Sequence, residues 1–427
     1  MLKPPLALGL RYNWKQFALL VLVNALVGAM VGLERTVVPL LAEADFGIVS
    51  KSVVLSFIVS FGVVKALTNL FAGRLADRIG RRRILIAGWL IGLPVPLLIM
   101  AAPAWGWIIF ANVLLGINQG LCWSMTVNMK IDLAGPQRRG LALGLNESAG
   151  YVAVALSALL TGTLAANYGL RPVPFYAGVA FSVLGLFLSV FAVRDTQGHV
   201  RQEAALRQTE AGKPLTWRQI FLLTSWKDRA LFATSQAGLV NNLNDGVVWG
   251  LVPILLASSS LPLEQIAIVV AIYPIVWGLG QLVTGALSDR WGRKWLISAG
   301  MGIQAIGIGL FAAGHDFVAW ASAAALLGVG TALVYPTLLA VVSDVAQPEW
   351  RSSAIGVYRL WRDLGYALGA LLGGWLADAT GMPFALGAIG GLTLLSGLVA
   401  AGTLVETLPA HRALTSSQMS TVKGQSG

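Results

Sequence analysis

Nine ionisable residues interrupt stretches that are otherwise apolar: Glu34, Arg35, Lys65, Lys130, Glu147, Asp245, Arg359, Arg362 and Asp363. Within hydrocarbon each such group costs on the order of 2.5–3.5 kcal/mol on insertion scales, which makes each a candidate for function. The chemistry open to them is recognition of a charged solute and exchange of a proton. A carboxylate whose burial and charged neighbours change with conformation changes its proton affinity, and so can carry a proton. Glu147 is the first candidate for that task, followed by Asp245 and Glu34.

Helical spacing gathers these groups and their polar companions onto single faces. Arg359, Arg362, Asp363 and Tyr366 stand at i, i+3, i+4 and i+7. Arg359 and Asp363 are expected to pair, which leaves Arg362 for another partner. Gln119, Trp123, Thr126 and Lys130 form a second stripe, and Tyr273, Trp277 and Gln281 a third. Asn146 precedes Glu147, and Asn241 and Asn244 precede Asp245. Glu34 and Arg35 fall late in their run and are expected to form a gate pair near the outer surface. Gln119 and the aromatic residues have interhelical packing as their plainer role, and Lys130 can snorkel to the surface.

The elements that must hold these residues are membrane helices. The chain is 56% hydrophobic and 11% charged, against about 25% charged in a soluble domain. Runs of about 20 apolar residues suit a bilayer core. Twelve are expected, at 17–41, 52–73, 83–101, 106–131, 140–165, 174–193, 229–257, 263–286, 295–313, 317–343, 352–378 and 382–405. The first run is too long for a signal-peptide core and lacks a small-residue cleavage site. Lys and Arg crowd alternate loops and the segment 194–228, while the opposite loops hold only Lys51 and Arg171. By the positive-inside rule both termini are cytoplasmic. The expected organisation is a six-helix half over 1–193, a cytoplasmic linker over 194–228, a second half over 229–405 and a tail over 406–427.

Several classes are excluded. The net charge of +11 is spread over short loops, with no basic face for nucleic acid. One cysteine, Cys122, and three histidines, none of them in a span, leave no metal centre and no cofactor site. No nucleophile–base arrangement points to an enzyme.

The two halves repeat each other. G-R-L-A-D-R-I-G-R-R at 73–82 recurs as G-A-L-S-D-R-W-G-R-K at 285–294, an offset of 212 residues. The same offset relates Asp132 to Asp344, Pro136 to Pro348, Arg139 to Arg351 and Gly144 to Gly356. This duplicated loop between spans two and three, and between eight and nine, resembles the signature of the major facilitator superfamily. The resemblance covers essentially the whole chain. It implies an all-α integral membrane protein in which two pseudo-symmetric six-helix bundles surround a central cavity. Substrate binds at the interface of the repeats in such folds.

The resemblance also implies roles for the loop residues. Gly73, Gly80, Gly285 and Gly292 permit close turns. Asp77, flanked by Arg78, should meet the start of span eleven, where helix N–H groups favour an anion. Arg81 should link to Asp132, with Arg139 nearby. By pseudo-symmetry Asp289, beside Arg290, should serve the start of span five, with Arg293 near Asp344 and Arg351 nearby. Together they form a latch that closes the cytoplasmic side.

The expected function is secondary transport of a small organic solute across a bacterial inner membrane by alternating access. Coupling is expected to a proton, with a lipid bilayer as surroundings and a monomer as the working unit. Five basic against four acidic residues within the spans suit an anion. A multidrug–proton antiporter of lipophilic cations is the alternative. Against it, Asn112 stands in span four where many drug–proton antiporters carry arginine, and Gly150-Tyr151 replaces their G-P pair in span five. A non-transporting membrane sensor is the other class.

Overall fold

The computed structural model describes residues 9–134, 139–199 and 215–408, apart from the side chains at 74, 77, 139–142, 286, 348, 349 and 352. Twelve long helices carry the chain. α1 runs Leu10–Arg35 and, after a break at Thr36-Val37, continues as Val38–Phe46. α2 is Ser56–Ile79, entered through the turn Lys51–Val54. α3 is Arg81–Gly92 extended by Pro94–Ala101, α4 is Trp105–Ala134, α5 is Arg139–Tyr168 and α6 is Val173–Phe191. The second half comprises α7 (Arg229–Ser258), α8 (Leu263–Trp291), α9 (Lys294–Ala313), α10 (Phe317–Val345), α11 (Pro348–Thr380) and α12 (Met382–Thr403).

Eleven spans among the described residues are long and apolar enough to cross a membrane. α11 is not among them: Arg359, Arg362, Asp363 and Asp378 lower its hydropathy. Its 33 residues nevertheless extend about 50 Å at 1.5 Å per residue. The first span is longer than its hydropathy suggested, because the chain resumes its helix at Val38 with Pro39 in the first turn, where a missing N–H costs nothing. Trp217–Leu222 between the halves opens with a capping box, in which Thr216 and Gln219 exchange side-chain bonds with each other's backbone.

Glycine sets the closest helix approaches. On α1 a Cβ at Gly28 would stand 2.1 Å from the Gly150 carbonyl oxygen of α5, and on α11 one at Gly369 would stand 2.1 Å from that of Leu243 in α7. The halves meet along α2 against α11 and α5 against α8. Gly62 lies against Tyr366 and Ala367, Gly374 against Ser52, and Gly162 against Ala267. The outward faces carry large exposed apolar residues such as Phe71, Phe187, Val283 and Leu398, the surface that lipid covers in a multi-pass membrane protein.

Candidate functional site

Where the two bundles face each other, the charged residues of the spans are buried among aromatic rings. Glu147 on α5 is 3% exposed and sits at a crossing of four helices. Its Oε1 accepts from Trp123 Nε1 of α4 and from the Asn146 amide, each at 3.0 Å. Its Oε2 accepts from the Tyr335 hydroxyl of α10 at 2.9 Å. The first two donors belong to its own half and the third to the other. Asn24 on α1 holds this corner, donating to the Asn146 carbonyl at 2.7 Å while Thr126 donates to Asn24. Gln119 donates to the Val27 carbonyl at 2.9 Å.

The α11 stripe is arranged otherwise than its spacing suggested. Arg362, not Arg359, grips Asp363, with Nε at 2.9 Å and Nη2 at 2.6 Å from Oδ1. The long arginine side chain curls back to its neighbour, so the i, i+4 match is not used. Arg362 also donates to the Tyr335 hydroxyl, which couples the α11 charge pair to Glu147. Arg359 Nε has no hydrogen-bond partner among the described residues. From the other half, Asn69 of α2 donates to Asp363, and Lys65 Nζ lies 4.0 Å from it.

Glu34 and Arg35 lie deep, only 1% and 2% exposed, because α1 continues beyond them to Phe46. They form no gate pair at the surface. Neither oxygen of Glu34 has a hydrogen-bond partner among the described residues. The Arg35 guanidinium rests on the Trp249 ring of α7 at 4.3 Å and on Phe61 of α2 at 5.4 Å. Asp245 on α7 accepts from Tyr273 through Oδ1, and its Oδ2 meets no donor at hydrogen-bonding geometry among the described residues. Tyr273 stacks on Trp277, and Trp277 stacks on Tyr151 from the other half. Asn241 turns away from this centre, accepting from Gln304 of α9 at 2.9 Å. Lys130 does not snorkel; it is fully buried and donates to the Leu20 carbonyl at 3.2 Å.

The two ends of the bundle carry different polar contacts. At the end opposite the arginine-rich loops, Asp378 of α11 reaches across to the entry of α2. It accepts from Ser50 Oγ (2.8 Å), Lys51 N (2.6 Å), Ser52 N (2.9 Å) and Ser52 Oγ (2.6 Å).

At the basic end, Arg81 meets Asp132 at 2.7 Å and Arg293 meets Asp344 at 3.2 Å, as the loop resemblance implied. Asp289 accepts from Arg293 within its own half at 2.8 Å. Arg351 donates to the Ala346 carbonyl at 3.1 Å, and Arg78 and Arg290 are exposed. Gly80 and Gly292 both have positive φ, 96° and 90°, where side chains are strained. Gly73 and Gly285 have open space around them and set no turn. The side chains of Asp77 and Arg139 lie outside the described residues, as does the stretch just before α5 that Asp289 was expected to serve.

One matched pair escaped the sequence analysis. After α6, Asp195 accepts from Arg82 N at 2.9 Å, and Thr196 donates to Asp132 at 2.6 Å. After α12, Glu406 accepts from Arg293 N at 2.9 Å and Thr407 donates to Asp344 at 3.0 Å. The acid–threonine pair thus recurs 211 residues on, from 195–196 to 406–407. That recurrence was the available signal. Tyr335 could have been found likewise, since an offset of 212 carries Trp123 onto it and both donate to Glu147.

Among the described residues no group of His, Cys, Asp and Glu gathers to hold a metal. Two six-helix halves, with buried charges and aromatic rings between them and hydrogen bonds bridging the halves, define a membrane carrier rather than an enzyme. The chain belongs to the Major Facilitator Superfamily, whose family profile matches residues 18–240 and again 234–423. It is 27% identical over 300 residues to the multidrug resistance protein MdtG of Escherichia coli (strain K12 / DH10B), covering 67% of this chain and 70% of that one. Among solved structures it is similar to the nucleoside transporter NupG, with a TM-score of 0.73 and 14% identity, covering 91% of this chain and all of that one. It is also similar to the peptide transporter POT in complex with sulfate, with a TM-score of 0.71 and 13% identity, covering 91% and 94%.

Proposed function

We propose that this transporter is proton-coupled, moves a small organic solute across the bacterial inner membrane, and uses Glu147 to exchange the proton. The basic loops then face the cytoplasm with both termini, and the Asp378 end faces outward. One observation carries the assignment of Glu147: its donors are divided between the halves, Trp123 and Asn146 on one side and Tyr335 on the other. Rocking the halves apart removes the Tyr335 hydroxyl and the Arg362 charge behind it and leaves Trp123 and Asn146, so the carboxyl's surroundings change between states. Asp363 is less suited, because Arg362 is its own chain neighbour and travels with it.

The test uses a solute chosen by thermal stabilisation of the purified protein, since a ligand of the native state raises its melting point. In proteoliposomes Glu147→Gln is expected to keep solute exchange at equal pH and to lose accumulation driven by a pH gradient. Full gradient-driven accumulation in that variant would remove Glu147 from the role.

A second reading has its own support. Asp245 Oδ2 meets no donor at hydrogen-bonding geometry among the described residues and lies on an aromatic wall that includes Tyr273 and Trp277, which suits a lipophilic cation. The similarity to a protein named for multidrug resistance points the same way.

A further inference from the structure

Arg35 is a buried charge in the molecule's centre with no acceptor bonded to it among the described residues. It is 2% exposed, and no hydrogen bond or ion pair joins it to an acceptor among the described residues. Glu34, about 100° around the helix, and Asp245 act on it through space without a hydrogen bond to it among the described residues. Asp245 gives its one bonded oxygen to Tyr273. What the guanidinium has instead is two ring faces, Trp249 at 4.3 Å and Phe61 at 5.4 Å.

Lys65 is only partly better placed. Its ammonium lies 5.5 Å from the same Phe61 ring and 5.0 Å from Tyr366. Its nearest acid, at 4.0 Å, is Asp363, whose charge is already gripped by two nitrogens of Arg362. Phe61 therefore stands between two buried cations, one with no hydrogen-bonded acid among the described residues and one 4.0 Å from an acid already bonded to Arg362. Tyr366 closes the group, edge-on to Phe61 and stacked on Trp249.

We infer that Arg35 and Lys65 form the receptor for a small organic monoanion with a flat apolar body, its anionic group on the Arg35 fork in place of the Trp249 ring and its body against Phe61 and Tyr366. This names the substrate class of the proposed transporter and rests on that reading. Ring faces satisfy a cation weakly, whereas a carboxylate or phosphonate takes a guanidinium through two parallel charge-assisted bonds. The contact with Trp249 also crosses the halves, since Arg35 is on α1 and Trp249 on α7. When the halves part, Trp249 withdraws and the fork of Arg35 turns to the ligand. Arginine rather than lysine at this point favours a planar, bidentate anion.

The test is equilibrium binding to the purified full-length protein, without any ion gradient, of three isosteric probes: benzoate, benzamide and benzamidine. Benzoate is expected to raise the melting temperature and quench tryptophan fluorescence, and the neutral and cationic isosteres are not. Arg35→Gln should weaken benzoate by about tenfold or more, the scale of one charge-assisted bond, and Lys65→Gln by less. Trp249→Leu, which keeps both cations and removes the competing ring, should bind benzoate more tightly.

Stabilisation by benzamidine alone overturns the inference and moves recognition to Asp245. So does benzoate binding that Arg35→Gln, Lys65→Gln and Trp249→Leu all leave unchanged. So too does the absence of any shift with benzoate and 2-naphthoate. Each of these results leaves the role of Glu147 standing, because that role is read from gradient-driven transport and not from equilibrium selectivity.

Discussion

Removing the Asp378 side chain should open the outer end of this transporter. The carboxylate of α11 accepts four hydrogen bonds from Ser50, Lys51 and Ser52, at 2.6 to 2.9 Å, and all four cross from one half to the other. These groups lie at the exposed end of the bundle, so water replaces them when the halves separate. Four bonds at full value would overstate the effect, because charged bonds are screened there and the two from Ser52 are not independent. About 1–2 kcal/mol is a fair net value for Asp378→Ala. All of it falls on the outer-closed state, so the outer-open population should rise about 5- to 30-fold.

The assay is labelling by a membrane-impermeant maleimide. Leu55 is fully buried against Gly250 beneath this contact, and Cys122 is the single native cysteine. In a Cys122→Ser, Leu55→Cys background, adding Asp378→Ala should raise the labelling rate from outside by that factor. Asp378→Asn, which keeps an acceptor oxygen but not the charge, should fall between. An unchanged labelling rate in Asp378→Ala would refute the idea that this contact holds the outer end closed.

Two further outcomes concern the scaffold. Burial works to raise the proton affinity of Glu406, but the backbone N–H groups of Arg293, Leu408, Lys294 and Thr407 outweigh it and hold the carboxyl below the usual glutamate range. A depressed folded-state value contributes stability above the unfolded pKa and loses it as pH falls through the folded one. Melting temperature should therefore drop on acidification below about pH 4, and less steeply in Glu406→Gln. Gly369→Val should destabilise by about 1–3 kcal/mol or more, because its Cβ would meet the Leu243 carbonyl oxygen at 2.1 Å and backbone cannot yield. Gly356→Ala, with nothing within 4 Å, should be neutral or better in the same thermal assay.

Much of the architecture is legible in the residues, for reasons that also mark the limits. Apolar runs and a duplicated loop are local signals, and they give the helices and the two halves, while the Arg81–Asp132 and Arg293–Asp344 contacts were implied only by the family resemblance of that loop. α11 is the weakest of the apolar runs, because its charges lower its hydropathy. What spacing cannot show is which way a long side chain bends: Arg362 takes the acid that helical geometry offered to Arg359. Nor does it show that a helix resumes after a break, which is why Glu34 and Arg35 are deep rather than near the surface. The Asp195-Thr196 and Glu406-Thr407 pairs were hidden by a one-residue slip in the repeat and by their position in segments taken for linker and tail. Contacts across the halves, such as Asp378 with Ser52, leave no trace in one sequence. They depend on how two bundles dock, not on any local pattern.

The central claim is that the halves exchange access under control of a proton on Glu147. Spin labels at Val49 and Ser260 report the outer end, and labels at Ile79 and Trp291 the basic end; all four positions are exposed, one on each half at either end. The distance between each pair, measured by electron double resonance in acid and in alkaline buffer, tests the claim most directly. The two distances should shift in opposite directions with pH, and Glu147→Gln should fix both. Distances that ignore pH in the native protein, or that widen and narrow together, would contradict it.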